Sequence, residues 1–112
     1  PLHWRSATGE VRPLQVTGTA LGALPEPQIE VREMVLEPGD VLLIYTDGAV
    51  EARDDEGELL GIDGLSQLLA RHVSLPPREM VNRIAADILE RCDVRDDMTL
   101  VAVMRRRTAP RR

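Results

Sequence analysis

One unbroken apolar run, Val41-Leu42-Leu43-Ile44-Tyr45, constrains the fold of this chain more than any other segment. A tight turn precedes it at Glu37-Pro38-Gly39-Asp40. Pro38 presets the φ angle of the second turn position, and Gly39 supplies the positive φ that a type II turn needs at the third. A run without polar alternation predicts a strand buried on both faces, or a sheet sandwiched between other layers.

The patterns around this run predict strands before it and mostly helices after it. The predicted elements are strands at 2–5, 11–16, 29–36 and 41–45, helices at 62–72 and 77–92, and a last strand at 99–104. The strand at 29–36 is expected to form an antiparallel hairpin with 41–45. Strands followed by two helices and a further strand predict an α+β fold, in which an antiparallel sheet carries both helices packed on one face.

The size and composition are those of one globular domain. The chain has 112 residues, of which 43% are hydrophobic and 29% charged. Because it contains one Trp, one Tyr and no Phe, its core must be built from aliphatic residues and Met.

Charge, cysteine content and hydropathy argue against a nucleic-acid partner, an intramolecular disulfide and a membrane-spanning segment in this sequence. The net charge of −5 argues against a nucleic-acid partner, although the Arg-rich tail at 105–112 is basic and is predicted to be a disordered, solvated terminus. The single cysteine, Cys92, excludes an intramolecular disulfide, which suits a cytoplasmic protein. No apolar run reaches the roughly 20 residues that span a bilayer, so no membrane contact is predicted for this segment.

Acidic residues stand where two predicted strands meet their loops. Asp47 directly follows the run at 41–45 and is followed by Gly48, whereas Asp96 and Asp97 come just before the last strand. If those strands are antiparallel neighbours, Asp47 and Asp96 lie at the same end of the sheet. Carboxylates so close repel each other unless a cation lies between them, and Mg²⁺ and Mn²⁺ prefer such oxygen ligands.

The residue types alone leave a structural interpretation open. Asp-Gly after a strand is commonly a turn, and Asp-Asp before a strand is commonly a solvated loop or a helix cap. The acidic stretch at 51–58 lacks the alternating ligands of an EF-hand and is predicted to be a solvated loop.

Two segments together resemble a known family. LEPGDVLLIYTDGAVEARDDEGELLG at 36–61, and DDMTLVAV at 96–103 after the helical pair, resemble the sporulation and stress-response phosphatases of bacteria. These form the SpoIIE/RsbU group of the PPM (PP2C-like) serine/threonine phosphatase superfamily. The resemblance runs from about Gly18 to Met104 and includes the loop Thr19-Ala20-Leu21-Gly22.

The resemblance implies a fold, a reaction and a set of site residues. The fold is a sandwich of two antiparallel sheets with helices outside, and two Mn²⁺ or Mg²⁺ ions activate a water that hydrolyses phosphoserine or phosphothreonine. Asp47 and Asp96 match metal ligands with a catalytic role. Asp97 matches a supporting or weaker ligand, and Gly48 matches the motif glycine that contributes its backbone. The implied partner is a phosphorylated regulatory protein, an anti-sigma-factor antagonist; a homodimer is left open.

The family's upstream segment, of the type Asp-Val-x-Gly-His/Lys-Gly, has no counterpart in this sequence. Residues 1–104 are therefore expected to be the C-terminal portion of one phosphatase domain, and the isolated chain is expected to be inactive because other metal ligands lie upstream. Two alternatives stay open: a non-catalytic, phosphatase-like module that binds a partner, and an inactive truncated product.

Overall fold

The computed structural model describes residues 1–14 and 33–107. Its elements are β1 (Leu2–Trp4), β2 (Val11–Pro13), β3 (Val41–Tyr45), α1 (Asp47–Val50), α2 (Gly61–His72), α3 (Pro77–Arg91) and β4 (Leu100–Met104). The four strands form one antiparallel sheet in the order β2-β1-β3-β4, which confirms the predicted α+β class. None of the helices in these two ranges is long and apolar enough to cross a membrane.

Strand β3 has a partner along each edge. Leu43 is opposite Leu2 of β1 on one side, and Tyr45 is opposite Leu100 of β4 on the other. The predicted hairpin between 29–36 and 41–45 is therefore wrong, because β1 takes the edge that the hairpin would need. Residues 33–36 form no strand, whereas 29–32, the loop at 19–22 and the tail at 108–112 lie outside the described residues.

The two long helices pack on one face of the sheet, as predicted. Their apolar stripes meet inward-facing strand residues in a single aliphatic core. This core includes Leu65, Leu68 and Leu69 of α2, Met80, Ile84 and Ile88 of α3, and Leu2, Val41 and Leu43 of the sheet. Pro77 starts α3 at a position where the missing amide hydrogen costs no helical hydrogen bond.

The opposite face of the sheet is aliphatic and exposed. Ile44 is opposite Val101 across the β3–β4 pair, and Ile44, Val101 and Val103 are 42%, 45% and 42% exposed. Successive side chains of a strand point to opposite faces, and both long helices lie on the same one. The prediction of a strand covered on both faces is therefore correct for one face only within the described residues.

A buried carboxylate ties β1 to the turn that precedes β3. The ring Nε2 of His3 lies 2.8 Å from Oδ2 of Asp40, and the amide and hydroxyl of Ser6 donate to Oδ1 at 2.8 and 3.0 Å. The amide of Glu37 donates to Oδ2 at 3.0 Å. Burial by itself would raise the pKa of Asp40, but the bonds from Ser6, His3 and Glu37 outweigh it and hold the pKa well below its ordinary value.

Adjacent residues of α3 provide a test of the core. Ile88 is fully buried, whereas Leu89 is 61% exposed. We expect Ile88→Ala to lower the free energy of unfolding by about 2–5 kcal/mol, because it leaves a cavity against the sheet. Leu89→Ala is the matched control and should change it by no more than about 0.5 kcal/mol. Urea unfolding followed by circular dichroism measures both, and equal losses would contradict the packing described.

The Asp40 network predicts a pH dependence of stability. A carboxylate whose pKa falls on folding stabilises the fold fully above its ordinary value, here 3.8, and loses that effect as the pH falls towards the folded value. Asp40→Asn is expected to lower the free energy of unfolding by about 1–3 kcal/mol at pH 7. The difference in the free energy of unfolding between Asp40→Asn and wild type should shrink as the pH falls below 3.8. Denaturant titrations from pH 7 to pH 2.5 measure it, and a difference that grows on acidification would refute the assignment.

Candidate active site

The β3–β4 pairing brings the two acidic motifs to one end of the sheet. The last residue pair of this ladder is Tyr45 with Leu100, and the amide of Thr46 donates to the carbonyl of Thr99 at 3.1 Å. Asp47 thus follows β3 at the end where Asp96 precedes β4. This is the placement expected for carboxylates that leave and enter antiparallel neighbouring strands.

Thr46 fixes the segment that carries Asp96. Its Oγ1 accepts a hydrogen bond from the amide of Thr99 at 2.9 Å and donates one to the carbonyl of Asp97 at 3.3 Å. One hydroxyl therefore joins the chain before Asp47 to both sides of Met98. The sequence interpretation assigned no role to Thr46, although it stands in the Thr-Asp-Gly motif.

Gly48 is required by a close backbone contact. A Cβ at this position would overlap the carbonyl oxygen of Asp97 and would lie 2.9 Å from its carbonyl carbon and 3.2 Å from the carbonyl oxygen of Asp96. Its φ is not in the left-handed region. The missing side chain therefore lets the start of α1 lie against the segment 96–97.

Asp47 is the first residue of the short helix α1 and is exposed, whereas Gly48 and Ala49 behind it are buried. Its carboxylate affects the ionisation of Tyr45, the last residue of β3. Burial raises the pKa of the Tyr45 hydroxyl, and the negative charge of Asp47 raises it further.

A pocket of about 330 Å³ opens beside Asp96. It is lined by Gly48, by Glu51, Asp93 and Asp96, by Arg53 and Arg95, and by Leu59. The loop at 51–58 is exposed, as predicted, except for Ala52, which is buried in the core, and Glu51 and Arg53 reach the pocket. Asp93, Leu59 and the two arginines are pocket residues that sequence reasoning missed. For Arg95 the available signal was its position directly before Asp96.

The loop beside the pocket is held by Asp54 and Arg53. Oδ1 of Asp54 accepts hydrogen bonds from the amides of Glu56 and Glu58, both at 2.9 Å. The backbone of Arg53 exchanges two hydrogen bonds with Asp93, at 3.2 and 2.7 Å. One wall of the pocket is therefore built from two segments that are 40 residues apart in the sequence, at Arg53 and Asp93.

The donors at this end of the sheet fit part of a site for a hard divalent cation. Asp47 and Asp96 offer carboxylate oxygens, the ligand type that Mg²⁺ and Mn²⁺ prefer. Within residues 1–14 and 33–107, no group of three or more His, Cys, Asp or Glu could hold a metal ion. The amide of Asp97 donates to Oδ1 of Asp96 at 2.8 Å, so Asp97 orients its neighbour. Metal binding by Asp47, Gly48, Asp96 and Asp97 stays a prediction.

One family model and two relatives match this chain. The family model described as Stage II sporulation protein E matches residues 1–106. Protein IcfG of Synechocystis sp. is 29% identical over 108 residues, which are 94% of this chain and 17% of that protein. Phosphoserine phosphatase RsbU of Bacillus subtilis is 30% identical over 95 residues, 83% of this chain and 28% of that protein. The chain thus spans less than a third of either relative, and no solved structure matches it.

Two helical glycines test the contact at Gly48. Gly48→Ala should lower the free energy of unfolding by about 1–3 kcal/mol, because the new methyl group meets backbone that cannot rotate away. Gly64→Ala in α2 is the control, since its methyl group meets only the flexible side chain of Leu60, at 2.6 Å. Alanine also favours a helix over glycine by up to about 1 kcal/mol. Urea unfolding measures the free energy of unfolding of both variants. An equal change at the two positions would contradict the close contact between Gly48 and the backbone of Asp97.

Proposed function

Given that the chain belongs to the Stage II sporulation protein E family, we propose that it is the C-terminal part of a metal-dependent protein phosphatase domain. The membership confirms the family predicted from the Thr-Asp-Gly and Asp-Asp-Met-Thr motifs. The proposed reaction is hydrolysis of phosphoserine or phosphothreonine on a regulatory protein. The name of one relative, a phosphoserine phosphatase, supports phosphoserine as the substrate group.

A single observation carries the proposal: the register of β3 and β4 brings both motifs to one end of the sheet, beside a pocket. Two motifs that are 49 residues apart, at Asp47 and Asp96, need not meet in an arbitrary α+β fold. Their meeting is supported by the backbone contact at Gly48 and by the hydroxyl bridge of Thr46.

Each residue of the site has a task in the proposed mechanism. Asp47 and Asp96 would hold Mn²⁺ or Mg²⁺, Asp97 would orient Asp96 through its amide, and Gly48 would keep the two segments together. When bound, two such ions supply an activated water and offset the charge of the phosphoryl oxygens. Thr46 positions the segment 97–99, so that Asp96 keeps its place relative to Asp47.

The remaining ligands are proposed to come from parts of the protein outside this chain. The described residues supply too few donors for two ions, and the relatives are several times longer than this chain. The exposed aliphatic face at Ile44, Val101 and Val103 supports further coverage of the sheet, because contiguous apolar surface of this kind is commonly buried against another element. We further propose an anti-sigma-factor antagonist as the phosphorylated partner, as the family resemblance implies, and a cytoplasmic location for the protein.

Charge-neutralising variants of the full-length protein test this function. We expect Mn²⁺-dependent release of phosphate from a phosphoserine peptide, and its loss in EDTA. Asp47→Asn and Asp96→Asn should each lower the rate by at least about a hundredfold, because each removes an anionic ligand while preserving shape. The far-ultraviolet circular dichroism should not change.

Asp63→Asn is the matched control, because Asp63 is an exposed carboxylate in the first turn of α2 and does not line the pocket. It should retain wild-type activity. The isolated chain of residues 1–112 should release no measurable phosphate. Full activity in EDTA, or in Asp47→Asn, would overturn the proposed chemistry.

A further inference from the structure

The pocket beside Asp96 contains charges of both signs. Glu51, Asp93 and Asp96 are acidic, and the chain has no Lys, so among residues 1–14 and 33–107 the positive charges that line the pocket are those of Arg53 and Arg95. A phosphomonoester carries nearly two negative charges at neutral pH and would be repelled by three carboxylates. A positively charged side chain at the pocket would offset that repulsion. The two arginines differ in how free their guanidinium groups are to contact a phosphoryl group.

Arg53 is engaged in building the loop. Its Nη1 donates to the carbonyl of Gly57 at 2.6 Å, and its backbone exchanges two hydrogen bonds with Asp93. Moving this guanidinium to a ligand would break its hydrogen bond to the carbonyl of Gly57. Arg53 is therefore a structural residue of the pocket wall.

Arg95 is held far more weakly. Its Nε donates to Oδ2 of Asp93 at 3.1 Å, and the side chains of Arg95 and Asp93 are 86% and 69% exposed. Such exposed ion pairs contribute at most about 1 kcal/mol, because water screens them and ordering two side chains costs entropy. The guanidinium can therefore leave Asp93 at little cost, and it lines the same pocket as Asp96.

We propose that Arg95 binds the phosphoryl group of a phosphorylated protein substrate at this pocket. It exchanges its hydrogen bond with Asp93 for two parallel hydrogen bonds to phosphoryl oxygens, the geometry for which a planar guanidinium is suited. Arg95 thereby makes the site selective for a phosphomonoester that lies next to Asp96. This role rests on the proposed function, because it concerns the substrate of that same reaction.

Steady-state kinetics of the full-length protein on a phosphoserine peptide test this role. Arg95→Ala is expected to raise KM about tenfold or more and to change kcat less, as fits the loss of charged hydrogen bonds already made in the substrate complex. Arg95→Lys should recover only part of the loss, because an ammonium group cannot form the two parallel bonds. Arg83→Ala, at an exposed arginine of α3 outside the pocket, is the control and should leave KM unchanged. An unchanged KM in Arg95→Ala would overturn the proposal.

A binding measurement in EDTA gives a readout that needs neither metal nor turnover. Fluorescence anisotropy of a labelled peptide, with and without its phosphate, should show a preference for the phosphorylated form in wild type that Arg95→Ala loses. Asp93→Asn removes the competing carboxylate and should preserve or increase this preference; a decrease would mean that Arg95 acts only through its pair with Asp93, and would refute the exchange. If wild type releases no phosphate, the proposed reaction is wrong. The role of Arg95 is then still decided by whether wild type prefers the phosphorylated peptide and Arg95→Ala loses that preference.

Discussion

The pairing of β3 on both edges is the constraint on which the rest of the structure depends. Along one edge β1 closes the sheet, and the His3–Asp40 contact ties that strand to the turn before β3. Along the other edge β4 brings the segment 96–99 to the end of β3. A strand with an exposed edge could have held only one of these two neighbours. The candidate active site therefore exists because the most apolar strand of the chain lies inside the sheet.

The site and the core occupy different parts of this sheet. The core lies between one face and the helices α2 and α3, where aliphatic side chains exclude water. The site lies at one end, where Asp47, Asp96 and Arg95 are exposed and backbone contacts supply the order. Exposed charges are free to exchange partners, which a ligand-binding site requires, whereas the buried Asp40 is fixed by the hydrogen bonds that it accepts.

Prediction from the sequence succeeded where the signal is local. The helical spacing of apolar residues predicted helices at 62–72 and 77–92, and the structure has them at Gly61–His72 and Pro77–Arg91. The apolar run gave β3 with the same bounds, Val41–Tyr45. The hairpin with 29–36 failed because nearness in sequence suggested a partner, whereas β1, some 40 residues earlier, took that edge. Strand pairing depends on which distant segment fits the edge, and a local pattern carries no information about that.

The sequence by itself determined the type of most elements and which carboxylates stand at strand ends, since periodicity, turn residues and motif spacing act between near neighbours. Tertiary structure alone decided that Thr46 holds Thr99, that Asp40 faces His3 and that Arg53 and Arg95 share one pocket. These contacts join residues up to 53 positions apart. The physical reason is that a hydrogen bond or a pocket wall needs atoms within a few ångströms of each other, and only the packed sheet and helices bring such distant residues that close.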